Sequence, residues 1–234
     1  MEKKDLKYLK DKSLKTRRKV IDFHKRNRIS HLGSDLSSVE IMTSLYYHIM
    51  RESDRFILSK GHASGIFYII LNDLGKIPDE QLNCLEEHPT IHREYGIYAT
   101  TGSLGQGLSL GLGMALANPK SSIYVLMGDG ECEEGQIWEA ARYAGELGRR
   151  VSNLTGIVDC NGLQGFKKTD YSSYERRFSA FGLDTRICEG HNIADLIREI
   201  TRKSDSAKIV LARTIKGKGV PSIEGQLKSH YSYQ

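Results

Sequence analysis

Ser122-Ile123-Tyr124-Val125-Leu126-Met127-Gly128-Asp129-Gly130 is the stretch that decides how this chain folds. Its first six residues form a short, partly β-branched apolar run closed by glycine, the pattern of a buried strand. Asp129 then leaves the carboxyl end of that strand between two glycines, which let a ligand approach the backbone closely. Thr155-Gly156-Ile157-Val158-Asp159 repeats the pattern, with Asn161 just past its end. In open α/β sheets ligands collect at the carboxyl ends of the strands. A carboxylate and an amide oxygen brought together there can share one hard cation, and Mg²⁺ takes one or two protein oxygens plus substrate phosphates. The pair therefore reads as a site for a metal-bound diphosphate.

Outward from this stretch, strands and helices alternate. The pattern gives a strand over 122–127, a helix over 136–148, a strand over 154–159 and a short helix near 171–180. A strand over 185–188, a helix over 193–203 and a strand over 208–213 follow. Such alternation predicts an α/β fold, a parallel sheet flanked by helices on both faces. The first half reads as mainly helical: a basic first helix, a helix capped by Ser37 or Ser38 and running through Tyr46 to Ile49, a loop into Asp54-Arg55-Phe56-Ile57-Leu58, and a helix near 63–74. A Gly- and Ala-rich helix is expected from Ser103 to Ala117, with Gly107, Gly111 and Ala115 permitting close backbone packing. Gly105, Gly107 and Gly111 resemble a loose dinucleotide fingerprint, but no strand precedes them and the spacing differs, so helix packing is the better reading.

A chain of 234 residues buries roughly 70–75% of its unfolded surface, and with only 4 Pro and no Ser/Gly tract one domain over 1–234 is the default expectation, two small ones being the alternative. Charge is uneven: residues 1–28 hold 12 Lys/Arg against 4 Asp/Glu, a net of +8, and the remainder holds 22 against 25, a net of −3. A basic segment of this kind can touch nucleic acid or anionic membrane. Leu6, Leu9, Leu14, Val20, Ile21 and Phe23 are interleaved with the charges, however, as in an amphipathic helix with one solvated face. Nucleic acid is not expected as a partner. Cys84, Cys132, Cys160 and Cys188, separated by 48, 28 and 28 residues, form no close metal-ligand pair. No apolar run approaches the roughly 18 residues of a membrane span, and Met1-Glu2-Lys3-Lys4 lacks an apolar signal core. A soluble protein of the reducing cytoplasm is expected.

Several blocks, taken in order, resemble the amino-terminal, diphosphate-binding part of transketolase, the thiamine diphosphate enzyme that moves a two-carbon ketol unit. They are Ser30-His31-Leu32-Gly33-Ser34-Asp35-Leu36-Ser37, Asp54 to His62, Thr101-Gly102-Ser103-Leu104-Gly105-Gln106-Gly107, Gly128 to Glu139, Asn161-Gly162-Leu163-Gln164 and Lys216-Gly217-Lys218-Gly219. The resemblance implies that Asp129, the Asn161 side chain and the Leu163 carbonyl ligate Mg²⁺ or Ca²⁺. It places Gly130 against the diphosphate, with Gly128 also binding the cofactor, and Gly102 and Leu104 nearer the thiazolium. His31, His62 and His88 match histidines of the reacting centre, and His230 matches one close to diphosphate and substrate. An imidazole titrates near neutrality and can donate to an oxyanion or move a proton. His92 competes with His88 for its place, while His24, His48 and His191 carry no motif signal and read as surface or satisfied core residues. Glu134 resembles a glutamate at the contact between the diphosphate-binding and pyrimidine-binding halves, where it could couple two sites; a surface ion pair would leave the same trace.

In transketolase the glutamate that activates the cofactor lies in the pyrimidine-binding half, which would follow Gln234. The resemblance therefore implies a separate carboxyl-half transketolase subunit that supplies the activating Glu, an α2β2 heterotetramer, and a sugar or sugar-phosphate substrate. Departures accompany the likeness. Asn161 follows Asp129 by 32 positions, with the excess over the family placed at Gly148-Arg149-Arg150; Leu32 replaces a common Pro, Gly165 follows Gln164 where a longer turn is usual, and Ser229 replaces a Trp before His230. A specialised biosynthetic substrate is consistent with them. The rival readings are the diphosphate-binding subunit of a 2-oxoacid dehydrogenase or decarboxylase, a non-catalytic scaffold that binds a partner protein and, third, nucleic-acid binding through the basic helix.

Overall fold

The computed structural model describes residues 3–227. The chain opens with α1 (Lys3–Asn27), α2 (Leu32–Ser37) and α3 (Val39–Ser44), and passes through a π-helical turn (Leu45–Ile49) into β1 (Arg55–Leu58). Then come α4 (Ser64–Asp73), α5 (Asp79–Leu82), α6 (Gly107–Ala117), β2 (Ile123–Gly128), α7 (Gly135–Leu147) and β3 (Leu154–Cys160). The chain continues with α8 (Tyr174–Ala180), β4 (Asp184–Glu189), α9 (Ile193–Thr201) and β5 (Lys208–Arg213). The strands form a parallel sheet in the order β1-β2-β3-β5-β4. All their carboxyl ends therefore open on one side.

Alternation along each strand builds a core on each face, because successive side chains of a strand point to opposite sides. Tyr124 and Leu126 of β2, with Phe56, Leu58, Ile157 and Val210, pack against α1 to α4 and α9. Ile123, Val125 and Met127, with Ile57, Val158 and Ile209, pack against α6, α7 and α8. Each such side chain contributes about 1.5–3 kcal/mol when fully buried. The sheet sandwiched between helical layers is the architecture that the alternating pattern predicts.

Three local expectations are refined. The loop expected to lead into Asp54 to Leu58 delivers the chain to a strand: Arg55–Leu58 is in register with Ile123 to Leu126 and forms one edge of the sheet. Ser38 holds the N-cap position of α3 as expected, but its side chain makes no cap bond. Its hydroxyl donates back to the Ser34 carbonyl at 3.0 Å and accepts from Lys60, while the Ser37 hydroxyl shares its one proton between the Ser34 carbonyl and buried Asp159. The helix expected from Ser103 begins at Gly107, since Gly102 and Gly105 take positive φ of 140° and 90°. Gly107, Gly111 and Ala115 do face inward, and a Cβ at Gly111 would run into Val125.

α1 buries Leu9, Val20 and Phe23, while Leu14 stays 58% exposed. Part of its basic charge is held internally: Lys12 and Lys19 pair with Asp73, and Arg17 with Glu40. No helix among the described residues is long and apolar enough to cross a membrane. Cys84, Cys132, Cys160 and Cys188 are free thiols.

Candidate active site

Loops leaving the carboxyl ends of β1, β2, β3 and β5 surround a cavity of about 390 Å³. His31, His62 and His88, Gly102 and Leu104, Gly128, Asp129 and Gly130, Glu134, Asn161 and Leu163 all line it. Every site residue expected from sequence is thus brought to one place except His230, which lies outside the described residues. His92 is excluded from the cavity; its ring stacks on Tyr95 and its Nδ1 meets Glu94 at 3.2 Å. A larger depression of about 570 Å³ lies by Ser122, Ser152 and Lys208 at the amino ends of the strands, remote from these groups.

The oxygen donors are arranged by the ends of β2 and β3. Asp129 accepts one backbone N–H on each carboxylate oxygen, from Gly130 at 2.7 Å and Gly162 at 2.5 Å. A carboxylate has about four acceptor sites, so each oxygen keeps one for another ligand. Asn161 donates its amide N–H to Asp159 at 3.2 Å, while its Oδ1 accepts from the Leu163 N–H at 3.1 Å. The acceptor-only Asp159 carboxylate fixes which face of the amide carries oxygen. Among the described residues no group of three His, Cys, Asp or Glu side chains is placed to hold a metal. A carboxylate, an amide and a main-chain carbonyl form a set of a different kind, all hard oxygen donors.

Beneath this set lies a buried ion pair that the sequence motifs do not single out. Lys60, 1% exposed, donates to Asp159 at 2.5 Å, to the Ser34 carbonyl at 3.0 Å and to Ser38 at 3.0 Å. Burial pushes the Asp159 carboxyl up, but Lys60 beside it and the donated bonds of Ser37 and Thr214 outweigh that and hold it below the usual range. At Asp129 the balance goes the other way: burial and the neighbouring Asp159 charge outweigh the Gly162 and Gly130 N–H bonds and the Lys60 charge, and push it up to about 7. Lys216, also 1% exposed, donates to the Leu163 and Gln164 carbonyls at 3.3 and 3.2 Å. Burial and the nearby Lys60 charge lower its ammonium to about 8.

Glu131 is the other unexpected member. It accepts from Gly105 N at 2.8 Å, from Gly128 N at 3.1 Å and from the Ser59 hydroxyl. One buried carboxylate therefore ties together the loops after β1, before α6 and after β2. Its signal in the sequence was a second acid two residues after Asp129, which could equally have been a solvated charge.

The opposite wall carries the histidines. The His31 ring centroid lies 5.2 Å from that of His62 and 6.5 Å from that of His88. His31 adopts φ 68° at the head of α2, a left-handed conformation that a non-glycine residue holds only where its surroundings impose it. Burial lowers its pKa despite the opposing charges of Glu87 and Asp35, so the neutral ring prevails at neutral pH. A Cβ at Gly102 would meet His88 Cδ2 at 3.1 Å. Leu32, in place of a proline, is fully buried and does not reach the cavity. At the rim, exposed Glu134 precedes α7, and Lys167 meets Glu133 at 2.6 Å.

Oxygen donors, buried lysines and backbone N–H groups at the carboxyl end of a parallel sheet, facing a wall of imidazoles, define an α/β enzyme domain for a phosphorylated cofactor. The chain belongs to the transketolase, thiamine diphosphate binding domain family, which residues 11–233 match. It is 38% identical to the 6-deoxy-6-sulfo-D-fructose transketolase subunit SqwG of Clostridium sp. (strain MSTE9), covering 86% of this chain and 82% of that protein. It is 36% identical to an apulose-4-phosphate transketolase subunit of Actinobacillus succinogenes, covering 95% and 90%. Among solved structures, the transketolase of Campylobacter jejuni superposes with a TM-score of 0.81 at 26% identity, over 97% of this chain and 40% of that one. The chain thus spans about two fifths of a solved transketolase, and most of the length of these two subunits.

Proposed function

We propose that residues 1–234 form one diphosphate-binding domain, a subunit of a thiamine diphosphate-dependent transketolase that transfers a two-carbon ketol unit from a ketose to an aldose. The observation that carries this reading is the one cavity in which the metal-type oxygens, the glycines and three histidines meet. Thiamine diphosphate supplies the electron sink for cleaving the carbon–carbon bond beside a ketose carbonyl. The residues fit that group: hard oxygens face a cavity into which Lys216 also projects, and a Cβ at Gly130 would crowd Gln164 at 2.5 Å, so glycine keeps this wall open.

Asp129, Asn161 Oδ1 and the Leu163 carbonyl hold Mg²⁺, with Ca²⁺ acceptable to the same hard oxygens. Gly128 and Gly130 lie along the diphosphate, Lys216 opposes its charge, and Gly102 and Leu104 flank the thiazolium. His31, His62 and His88 hold or move protons at the oxygens of the sugar, joined by His230. Neutral His31 is able to accept as well as donate. Glu134, exposed on the rim, meets a second polypeptide, the carboxyl-half subunit that supplies the activating glutamate, in a dimer of heterodimers. The substrates are sugar phosphates or a specialised sugar analogue, and the assembly works in the cytoplasm.

Removing one ligand tests the metal reading. Asp129→Ala should weaken Mg²⁺-dependent thiamine diphosphate binding about 100-fold or more, since outer partners of a ligand alone are worth 10- to 100-fold. Far-UV circular dichroism should stay unchanged. Unaltered affinity would remove Asp129 from the site.

A further inference from the structure

Lys216 enters the cofactor cavity from an irregular turn after β5, and the main chain on either side of it is tied to the same distant carboxylate. On one side, the Ile215 N–H donates to His191 Nε2 at 2.9 Å. A ring nitrogen that accepts leaves the proton on the other nitrogen, and His191 Nδ1 accordingly donates to Glu40 Oε2 at 2.8 Å. On the other side, the Lys218 carbonyl accepts from Arg17 Nη1 at 2.6 Å, while Arg17 Nη2 donates to Glu40 Oε1 at 2.6 Å. The same guanidinium also donates to the Leu36 carbonyl at 2.8 Å, so the latch is anchored on α2. Arg17, Glu40 and His191 come from α1, α3 and the turn before α9, and none of them lines the cofactor cavity.

We propose that Glu40 is a positioning residue that, through Arg17 and His191, holds Lys216 at the cofactor cavity. The inference rests on the reading of Lys216 as a contact of the diphosphate. An ionised carboxylate is required here because both neighbours donate to it. A glutamine at this position keeps the shape but has only one acceptor atom. Turned with its oxygen to Arg17, it donates to His191 Nδ1, which moves the imidazole proton to Nε2, against the Ile215 N–H. Turned the other way, its NH₂ opposes the guanidinium. Either orientation breaks one arm of the latch.

A double-mutant cycle on the full chain, assembled with its carboxyl-half partner, tests this by titrating thiamine diphosphate at saturating Mg²⁺. Lys216→Met should raise the cofactor Kd about tenfold or more, the scale of losing a charge-assisted contact to phosphate. Glu40→Gln alone should raise it about five- to tenfold. The double variant should bind no more weakly than Lys216→Met, within about twofold, because two residues acting through one contact are not additive. Independently of cofactor, the Ile215 amide should exchange faster in Glu40→Gln. Should that variant not fold, His191→Phe, which leaves the Arg17–Glu40 pair intact, must reproduce both effects. Multiplicative losses in the double variant, or an unchanged Kd in Glu40→Gln beside a weakened Lys216→Met, would overturn the latch. An unchanged Kd in Lys216→Met would instead overturn the reading of Lys216 and take the latch with it.

Discussion

Asp159 governs the site although it never faces the ligand. It accepts from Lys60, Ser37, Thr214 and Asn161, so the one carboxylate that balances the buried lysine also sets the amide of Asn161. Asp129 and Asn161 were legible in the sequence because each stands one step past an apolar run, where a polar residue has no reason to be buried except to meet something. Asp159 was not, because it closes an apolar strand and three of its partners, Ser37, Lys60 and Thr214, lie far away along the chain. Glu131 was hidden for the same reason: the donors it serves, Ser59, Gly105 and Gly128, come from three separate loops. His24, which without a motif signal read as a surface or satisfied core residue, is the latter: it is buried, its Nε2 bonded to Asp35 and its Nδ1 3.2 Å from the Ile29 carbonyl, and so it braces α2, which follows His31. Burial disfavours its charged form, but the Asp35 bond and charge outweigh burial and raise its pKa. A raised folded pKa stabilises the fold fully below the unfolded value, about 6.5, and that contribution fades as pH rises through the folded value. His24→Gln should therefore flatten the fall in unfolding free energy that sets in above about pH 6.5, as measured by urea titration. A wild-type slope retained in the variant would assign the pH dependence elsewhere.

Elements were legible where periodicity was long and uniform. β2, β3 and β5 are apolar runs buried on both faces, and α7 and α9 lie close to where the pattern put them. β1 was obscured because it has only four residues and sits among helices, so its identity comes from pairing with β2, a long-range contact that no local pattern encodes. The helix expected beyond a serine cap is present as α3 continued by the π-turn to Ile49, with Ser38 at the N-cap position and its hydroxyl accepting from Lys60. α7 packs closely on the connection from α8 to β4 at Gly145. A Cβ on Gly145 would collide with the Phe181 carbonyl oxygen, which is backbone and cannot rotate away. Gly145→Ala should therefore cost about 3 kcal/mol, the upper part of the range for overpacking, read from the denaturant midpoint at constant m-value. A loss below about 1 kcal/mol would mean that α7 can shift outward freely.

On the scale of the whole molecule, composition told less than order. The positive balance of residues 1–28 could have marked an arm for nucleic acid, yet α1 lays its apolar stripe on α3, α4 and α9 and spends Arg17, Lys12 and Lys19 on internal carboxylates. The ordered motif blocks told more, because loops from four strands must converge at one end of a parallel sheet to make them useful. On the proposed reading, this chain offers a cradle for the diphosphate end of the cofactor and a wall of histidines, and activation of that cofactor falls to another polypeptide. The most direct measurement is ketol transfer from xylulose 5-phosphate to ribose 5-phosphate with thiamine diphosphate and Mg²⁺, by this chain alone, by the carboxyl-half polypeptide alone and by the two mixed, with Asp129→Ala as control. Transfer is expected only in the mixture, and its loss is expected in the control. Transfer by this chain alone, or a mixture in which Asp129→Ala is as active as the native chain, would contradict that division of labour.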